Sequence, residues 1–190
     1  MQTDSPPSSL SAAPIVLVGM MGCGKTTVGK CLARQLNRTF VDSDDEIQKR
    51  TGVSITHIFD VEGEAGFRQR EAQVIADLMQ MRDIVLATGG GAVILEENRR
   101  AMRRGGTVVY LKGSAYDLWQ RTRHDRSRPL LQTADPRARL QQLLTERDPF
   151  YTEVADLIVP TSRQGVQTLV ADLLHKLAEL PPPAPITQAN

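Results

Sequence analysis

Short β-branched apolar runs alternate along this chain with stretches whose apolar residues recur every three or four positions. IVLV (15–18), FVDSD (40–44), DIVLATGGG (83–91), TVVYL (107–111) and LIV (157–159) read as five strands. Between them, KTTVGKCLARQLN sets Val28, Leu32 and Leu36 on one helical face. A long helical region carries EIQKRTGVSITHIFDVEGEAGFRQREAQVIADLMQM, SAYDLWQRT follows the fourth strand, and VQTLVADLLHKLAEL closes the chain as an amphipathic helix. Strands separated by helices predict an α/β fold of three layers, a five-stranded parallel sheet covered on both faces. Ligands of such sheets gather at the carboxyl ends of the strands. The first three strands deliver GMMGCGKTT, DSD and TGGG to that edge.

The first of these segments carries specific chemistry. Gly19-x-x-x-x-Gly24-Lys25-Thr26 fits a phosphate-cradling loop between a strand and a helix. Glycines remove the Cβ atoms that would block an anion, so backbone N–H groups can point at it, and the helix adds its positive end. Lys25 is expected on the β- and γ-phosphates and the Thr26 hydroxyl on Mg²⁺. A glycine-rich turn alone would give Lys25 and Thr26 no reason to follow Gly24. The chain is therefore expected to bind a nucleoside triphosphate. Cys23 lies beside Lys25 and the helix start, surroundings that lower a thiol pKa. It reads either as a reactive thiol or as a small loop residue.

Composition narrows the field. The chain has 190 residues, enough for one domain, with 41% hydrophobic and 24% charged residues and a net charge of +1. Such a balance gives no strong pull toward nucleic acid or an anionic membrane. Cys23 and Cys31 match no metal spacing and suggest no disulfide framework, as expected in a reducing cytoplasm. Residues 1–13 lack the pattern of a signal peptide, and no apolar run reaches the roughly 20 residues a membrane span needs. Residues 1–13 and the proline-rich 181–190 read as tails around a domain at 14–180. RTRHDRSRPLLQTADPRAR (121–139) packs arginines around prolines without an apolar stripe. It reads as a solvated basic loop or, preferably, as a lid over about 121–137 that closes arginines on phosphates.

Taken in order, GMMGCGKTT, DSD, GFRQRE, TGGG, RSRPLL and ERDPFY resemble the shikimate kinase family from about residue 15 to 179. The resemblance implies a P-loop kinase fold, like that of the nucleoside monophosphate kinases. It also implies transfer of the γ-phosphoryl of ATP to the 3-hydroxyl of shikimate, on the route to chorismate, by a monomer. On the nucleotide side it puts Gly22, Cys23, Gly24, Lys25, Thr26 and Thr27 on the phosphates and Arg128 of the lid beside them. Arg121 and Gln164 fall near the adenine. The third strand ends in Thr88 rather than an acid, so Asp42 is the candidate for a water-mediated Mg²⁺ contact, with a strand-end turn as the alternative.

On the acceptor side the resemblance gives Arg68 and Arg147 to the carboxylate of shikimate, which two parallel N–H bonds from a guanidinium would hold. Asp44 would hold two ring hydroxyls, orienting or deprotonating the attacking oxygen. Gly89, Gly90 and Gly91 would line the ring, with glycine leaving room for it. Each residue has a plainer reading. Asp44 could cap the helix that begins DEIQKR, Arg68 could pair with Glu64, and Arg147 with Glu146 or Asp148. The glycine triplet could be a ligand-free turn. Rival functions are a kinase of gluconate or a nucleoside monophosphate, a nucleotide-gated binding module, and a GTP-dependent switch. DVEG (60–63) matches a GTPase motif, but it lies in a helical stretch and no Asn-Lys-x-Asp motif accompanies it.

Overall fold

The computed structural model describes residues 11–123, 131, 133–161 and 164–181. Five parallel strands form one sheet in the order β2-β3-β1-β4-β5: β1 (Ile15–Val18), β2 (Thr39–Asp42), β3 (Ile84–Ala87), β4 (Thr107–Lys112) and β5 (Leu157–Pro160). The central strands IVLV and IVLA are buried at every position, because helices cover both of their faces. Edge strands β2 and β5 are more open, and Pro160 ends the latter where its missing N–H costs nothing.

Seven helices flank the sheet among the described residues: α1 (Lys25–Leu36), α2 (Ser43–Thr51), α3 (Ile55–Leu78), α4 (Glu96–Gly105), α5 (Ala115–Thr122), α6 (Pro136–Val154) and α7 (Val166–Glu179). α1 packs against α7, while α4 packs against α3 and α6. α1 lies so near β2 that a Cβ on Gly29 would meet the Phe40 ring at 2.5 Å. The continuous apolar core runs from both faces of the sheet into these helices.

Several boundaries differ from the sequence expectation. Strand two stops at Asp42, since Ser43 already starts α2, and strand three stops at Ala87, leaving the glycines in a turn. The single long helical region is divided. Gly52, in the left-handed conformation at φ 73, ends α2, and Gly63 (φ 69, ψ −176) kinks α3. Helices α4 and α6 had no visible stripe. α4 buries only Asn98 and Met102, and the buried face of α6 includes Arg147 among Leu140, Leu143, Tyr151 and Val154. Pro149 inside α6 added a misleading stop signal. Arg121 and Thr122 belong to α5, and Pro136 and Arg137 to α6, so the expected lid region borrows from both helices.

Candidate active site

The turn from β1 into α1 forms the phosphate loop. Gly24 caps α1 in the left-handed conformation, φ 97, which a side chain would strain. A Cβ on Gly22 would meet the Thr122 methyl at 2.6 Å, so α5 packs directly against the loop. Lys25 Nζ donates to the carbonyls of Gly19 at 2.7 Å and Met20 at 3.0 Å. The ammonium is thus fixed within the loop before any ligand arrives. Cys23 is buried, with its Sγ 3.7 Å from Lys25 Nζ, which corrects the reading of an accessible reactive thiol. Arg121 spans from the loop to the segment after β5, donating to Gly22 O at 3.3 Å and Thr161 O at 2.8 Å. Gln164 is exposed in the bend before α7, and Arg128 lies outside the described residues.

Thr26 and Asp42 meet at the junction of α1 and β2. The Thr26 hydroxyl donates to Asp42 Oδ2 at 3.1 Å, while Asp42 Oδ1 accepts the backbone N–H of Asp44 at 3.0 Å. Asp42, not Asp44, therefore caps α2. A hydroxyl and a carboxylate this close form a hard-oxygen pair suited to Mg²⁺. Among the described residues no cluster of three His, Cys, Asp or Glu could hold an ion. Thr88, at the end of β3, uses its buried hydroxyl on Leu17 O at 3.1 Å.

Beside this loop opens a cavity of about 560 Å³, lined by Met21, Asp44, Phe59, Phe67, Arg68, Glu71, the three glycines and Arg147 among others. Asp44 sits in the first turn of α2 with Oδ1 buried and unpartnered. Burial raises its pKa to about 6, nearby Asp42 pushes the same way, and Lys25 and Arg68 oppose the rise. Arg68 is buried and donates to Glu71 at 2.6 Å and Glu64 at 3.0 Å. Burial pushes the Glu71 carboxyl above the ordinary range, with the Arg68 charge opposing. Arg147, only 4% exposed, donates to Gly90 O at 3.2 Å.

These contacts bear on the plainer readings of the two arginines and the glycines. The Arg68–Glu64 pair exists, yet Arg68 also faces the cavity and is held from inside by Glu71. Arg147 pairs with neither neighbour: Glu146 accepts from Gln142, and Asp148 accepts from Tyr110 and Lys112. The glycines serve a purpose the sequence did not suggest. A Cβ on Gly89 would lie 2.7 Å from Glu71 Oε1 and 2.8 Å from Asp44 Oδ1, and one on Gly91 would lie 2.2 Å from Arg68 Nη2. Their bareness makes room for this protein's own charged side chains. Only Gly90 lies against backbone at ordinary distance, with Met21 N at 3.4 Å.

Sequence reasoning missed Glu71, Ser43 and Tyr151. Glu71 ends GFRQRE three residues after Arg68, the spacing that makes helical neighbours, and that signal was available. Ser43, the middle of DSD, accepts the Gly89 N–H at 2.9 Å and joins two of the three loops. Tyr151 donates to Gly90 O, a contact across 61 positions that no local pattern announces. No helix among the described residues is long and apolar enough to cross a membrane.

Known proteins agree on the lineage of this arrangement. The model of the shikimate kinase family matches residues 21–178. A shikimate kinase of Chromobacterium violaceum is 59% identical over 170 residues, covering 90% of this chain and 92% of its own. Among solved structures, shikimate kinase from Acinetobacter baumannii in complex with shikimate superposes with a TM-score of 0.85 at 45% identity, covering 87% of this chain and 92% of that one. A gluconokinase from Sinorhizobium meliloti shares the fold alone, with a TM-score of 0.57 at 20% identity over 89% of this chain and 93% of its own. The chain belongs to the shikimate kinase family.

Proposed function

We propose that this chain transfers the γ-phosphoryl of ATP to the 3-hydroxyl of shikimate, giving shikimate 3-phosphate and ADP for chorismate and aromatic amino acid synthesis. One observation beyond family membership carries the reading: Arg68 and Arg147 are buried in the cavity that also holds Asp44. A buried guanidinium needs a counter-charge. Arg68 is ion-paired with Glu71 and Glu64, whereas among the described residues Arg147 makes no ion pair and donates to a carbonyl, so the carboxylate of shikimate would complete its partners. Asp44 faces the ring hydroxyls and aligns the attacking oxygen. Its pKa of about 6 leaves it ionised at neutral pH, yet able to take the proton as the P–O bond forms.

The loop N–H groups from Gly22 to Thr27 cradle the phosphates, and Lys25 balances charge that builds on the leaving oxygens. Thr26, and Asp42 through water, would hold Mg²⁺, which would supply positive charge to neutralise the phosphates. Arg121 and Gln164 border the adenine end; Arg128, expected on the phosphates, lies outside the described residues. The chain works as a cytoplasmic monomer without nucleic acid or membrane. Cys23 and Cys31 are free thiols, in keeping with a reducing compartment.

The test is a coupled assay of ADP release with MgATP. Turnover should appear with shikimate and stay at background with gluconate or with no acceptor. Equal ADP release in all three would overturn the proposal.

A further inference from the structure

Pro149 removes one bond from the backbone ladder of α6 two residues after Arg147. Proline has no N–H to give the carbonyl four residues earlier, and its ring crowds that carbonyl. The turn that carries Arg147 is therefore one backbone bond short, and side chains around Pro149 add to what holds it. Asp148 Oδ1 accepts the Tyr110 hydroxyl at 2.7 Å, and its two oxygens lie 2.9 and 3.0 Å from Lys112 Nζ. Tyr110 and Lys112 both stand on β4, an interior strand paired with β1 and β5. The Tyr110 ring stacks on Tyr151, centroids 4.9 Å apart, and the Tyr151 hydroxyl donates to Gly90 O, the same carbonyl that Arg147 holds.

We infer that Asp148, through Tyr110, is the positioning residue of the Arg147 guanidinium and so sets affinity for the acceptor carboxylate. Asp148 touches no substrate on this reading, which rests on Arg147 gripping that carboxylate. Arg147 and Asp148 are adjacent in sequence and point to different places. One reaches the glycine turn after β3 and the other is moored to β4. Because α6 is weakened between them and Tyr151, the mooring replaces the rigidity an unbroken helix would supply. Partial burial works against the Asp148 charge, but Lys112 and Tyr110 hold the carboxyl below its usual range, so the anchor stays ionised at neutral pH. Misplacing a binding group by an ångström costs one to two orders of magnitude.

Steady-state kinetics on Tyr110→Phe, Asp148→Ala and Arg147→Ala, alone and combined, test this. Arg147→Ala should raise KM for shikimate, and no rise would overturn the Arg147 reading and this one with it. With that rise in hand, Asp148→Ala and Tyr110→Phe should each raise KM for shikimate about tenfold while KM for ATP stays within twofold. In the Arg147→Ala background neither change should raise it further, since no guanidinium remains to be placed. A merely structural role would lower the melting temperature and act equally in both backgrounds. That equality, or an unchanged KM in Tyr110→Phe protein of normal stability, overturns the positioning role and leaves Arg147 untouched.

Discussion

Asp42 accepts the backbone N–H of Asp44 through one carboxylate oxygen and the Thr26 hydroxyl through the other. One short side chain thus starts α2, ties it to α1, and frees the carboxylate of Asp44 from capping. Asp44 is left with a buried, unpartnered oxygen beside Arg68 and the glycine turn. That is costly for the empty protein and useful for one that must hold ring hydroxyls.

Activity of Asp44→Asn separates the two tasks an aspartate can have here. The amide keeps the size and one acceptor oxygen but loses the charge and cannot serve as a base. The loose transition state of phosphoryl transfer makes alignment of the acceptor oxygen the larger effect. We expect kcat to fall at least ~100-fold, a loss typical of general acid–base groups, with ATP affinity retained. Shikimate-dependent turnover and nucleotide titration on the same protein check it. Normal turnover would leave Asp44 without a part in the reaction.

Stability of the same variant should move the other way. The folded-state pKa of about 6 lies above the ordinary aspartate value of 3.8, so the native state holds this proton more tightly than the unfolded chain. The resulting stability is complete below pH 4 and is lost as pH rises through 6. At pH 8 the charged Asp44 costs the fold on the order of 2–3 kcal/mol, from about 1.36 kcal/mol per pH unit. Asn, permanently neutral, should raise the melting temperature at pH 8 in ligand-free, metal-free protein, by several degrees, and leave it unchanged near pH 4. Equal melting curves at pH 8 would count against the buried charge.

Lys25 is set up by two carbonyls rather than by a carboxylate, so its charge remains available to phosphate. Lys25→Met preserves the aliphatic stem and removes the charge. Turnover should drop at least ~100-fold, as when one preorganised electrostatic donor is removed. Circular dichroism and the melting temperature should stay close to those of the parent. Near-normal turnover would take Lys25 out of the transition state.

Much of this architecture is legible in the sequence because its signals are local. IVLV followed by a glycine loop and Lys25-Thr26 declares a strand, an anion cradle and a helix within a dozen residues. The sheet edge that collects DSD and TGGG follows from parallel topology alone. What stayed hidden depends on contacts between distant segments. Tyr151 reaches Gly90 across 61 positions, and Ser43 reaches Gly89 across 46. α6 was obscured because Arg147 interrupts the apolar stripe and Pro149 imitates a terminus. At Cys23 the sequence left a reactive thiol and a small loop residue open, and packing beneath the loop favours the second.

Arg68 offers a test of binding rather than chemistry. Arg68→Ala removes a cation and leaves Glu71 buried without its partner. Binding of shikimate should weaken by about 1.5–3 kcal/mol for the lost charged hydrogen bonds, with ATP affinity little changed. Glu71 complicates the stability of that variant, so Arg68→Ala combined with Glu71→Gln serves as the control, restoring stability and not affinity. Isothermal titration with each ligand measures both effects. Equal weakening toward shikimate and ATP would point to damage of the fold.

Gly90 and Gly91 are neighbours with opposite expected responses to a single methyl group. Neither has the positive φ that would strain alanine, so the outcome is set by what the new Cβ meets. At Gly91 it would lie 2.2 Å from Arg68 Nη2 and 2.5 Å from Cζ, on a guanidinium already clamped by Glu71. Gly91→Ala must push Arg68 off its carboxylate, which lowers the melting temperature and weakens shikimate binding together. At Gly90 the nearest atoms are Met21 N at 3.4 Å and Gly19 O at 3.7 Å, ordinary contacts. Gly90→Ala should therefore leave the empty protein as stable as before, within about 0.5 kcal/mol. Its methyl group still takes space beside the carbonyl that receives Arg147, where the proposed acceptor ring lies. We expect KM for shikimate to rise at least tenfold at unchanged melting temperature, the loss that misplacing a reactant by an ångström brings. Thermal melts and acceptor titrations on the two alanine variants distinguish the cases. A Gly90→Ala enzyme with parental KM would place the ring elsewhere in the cavity.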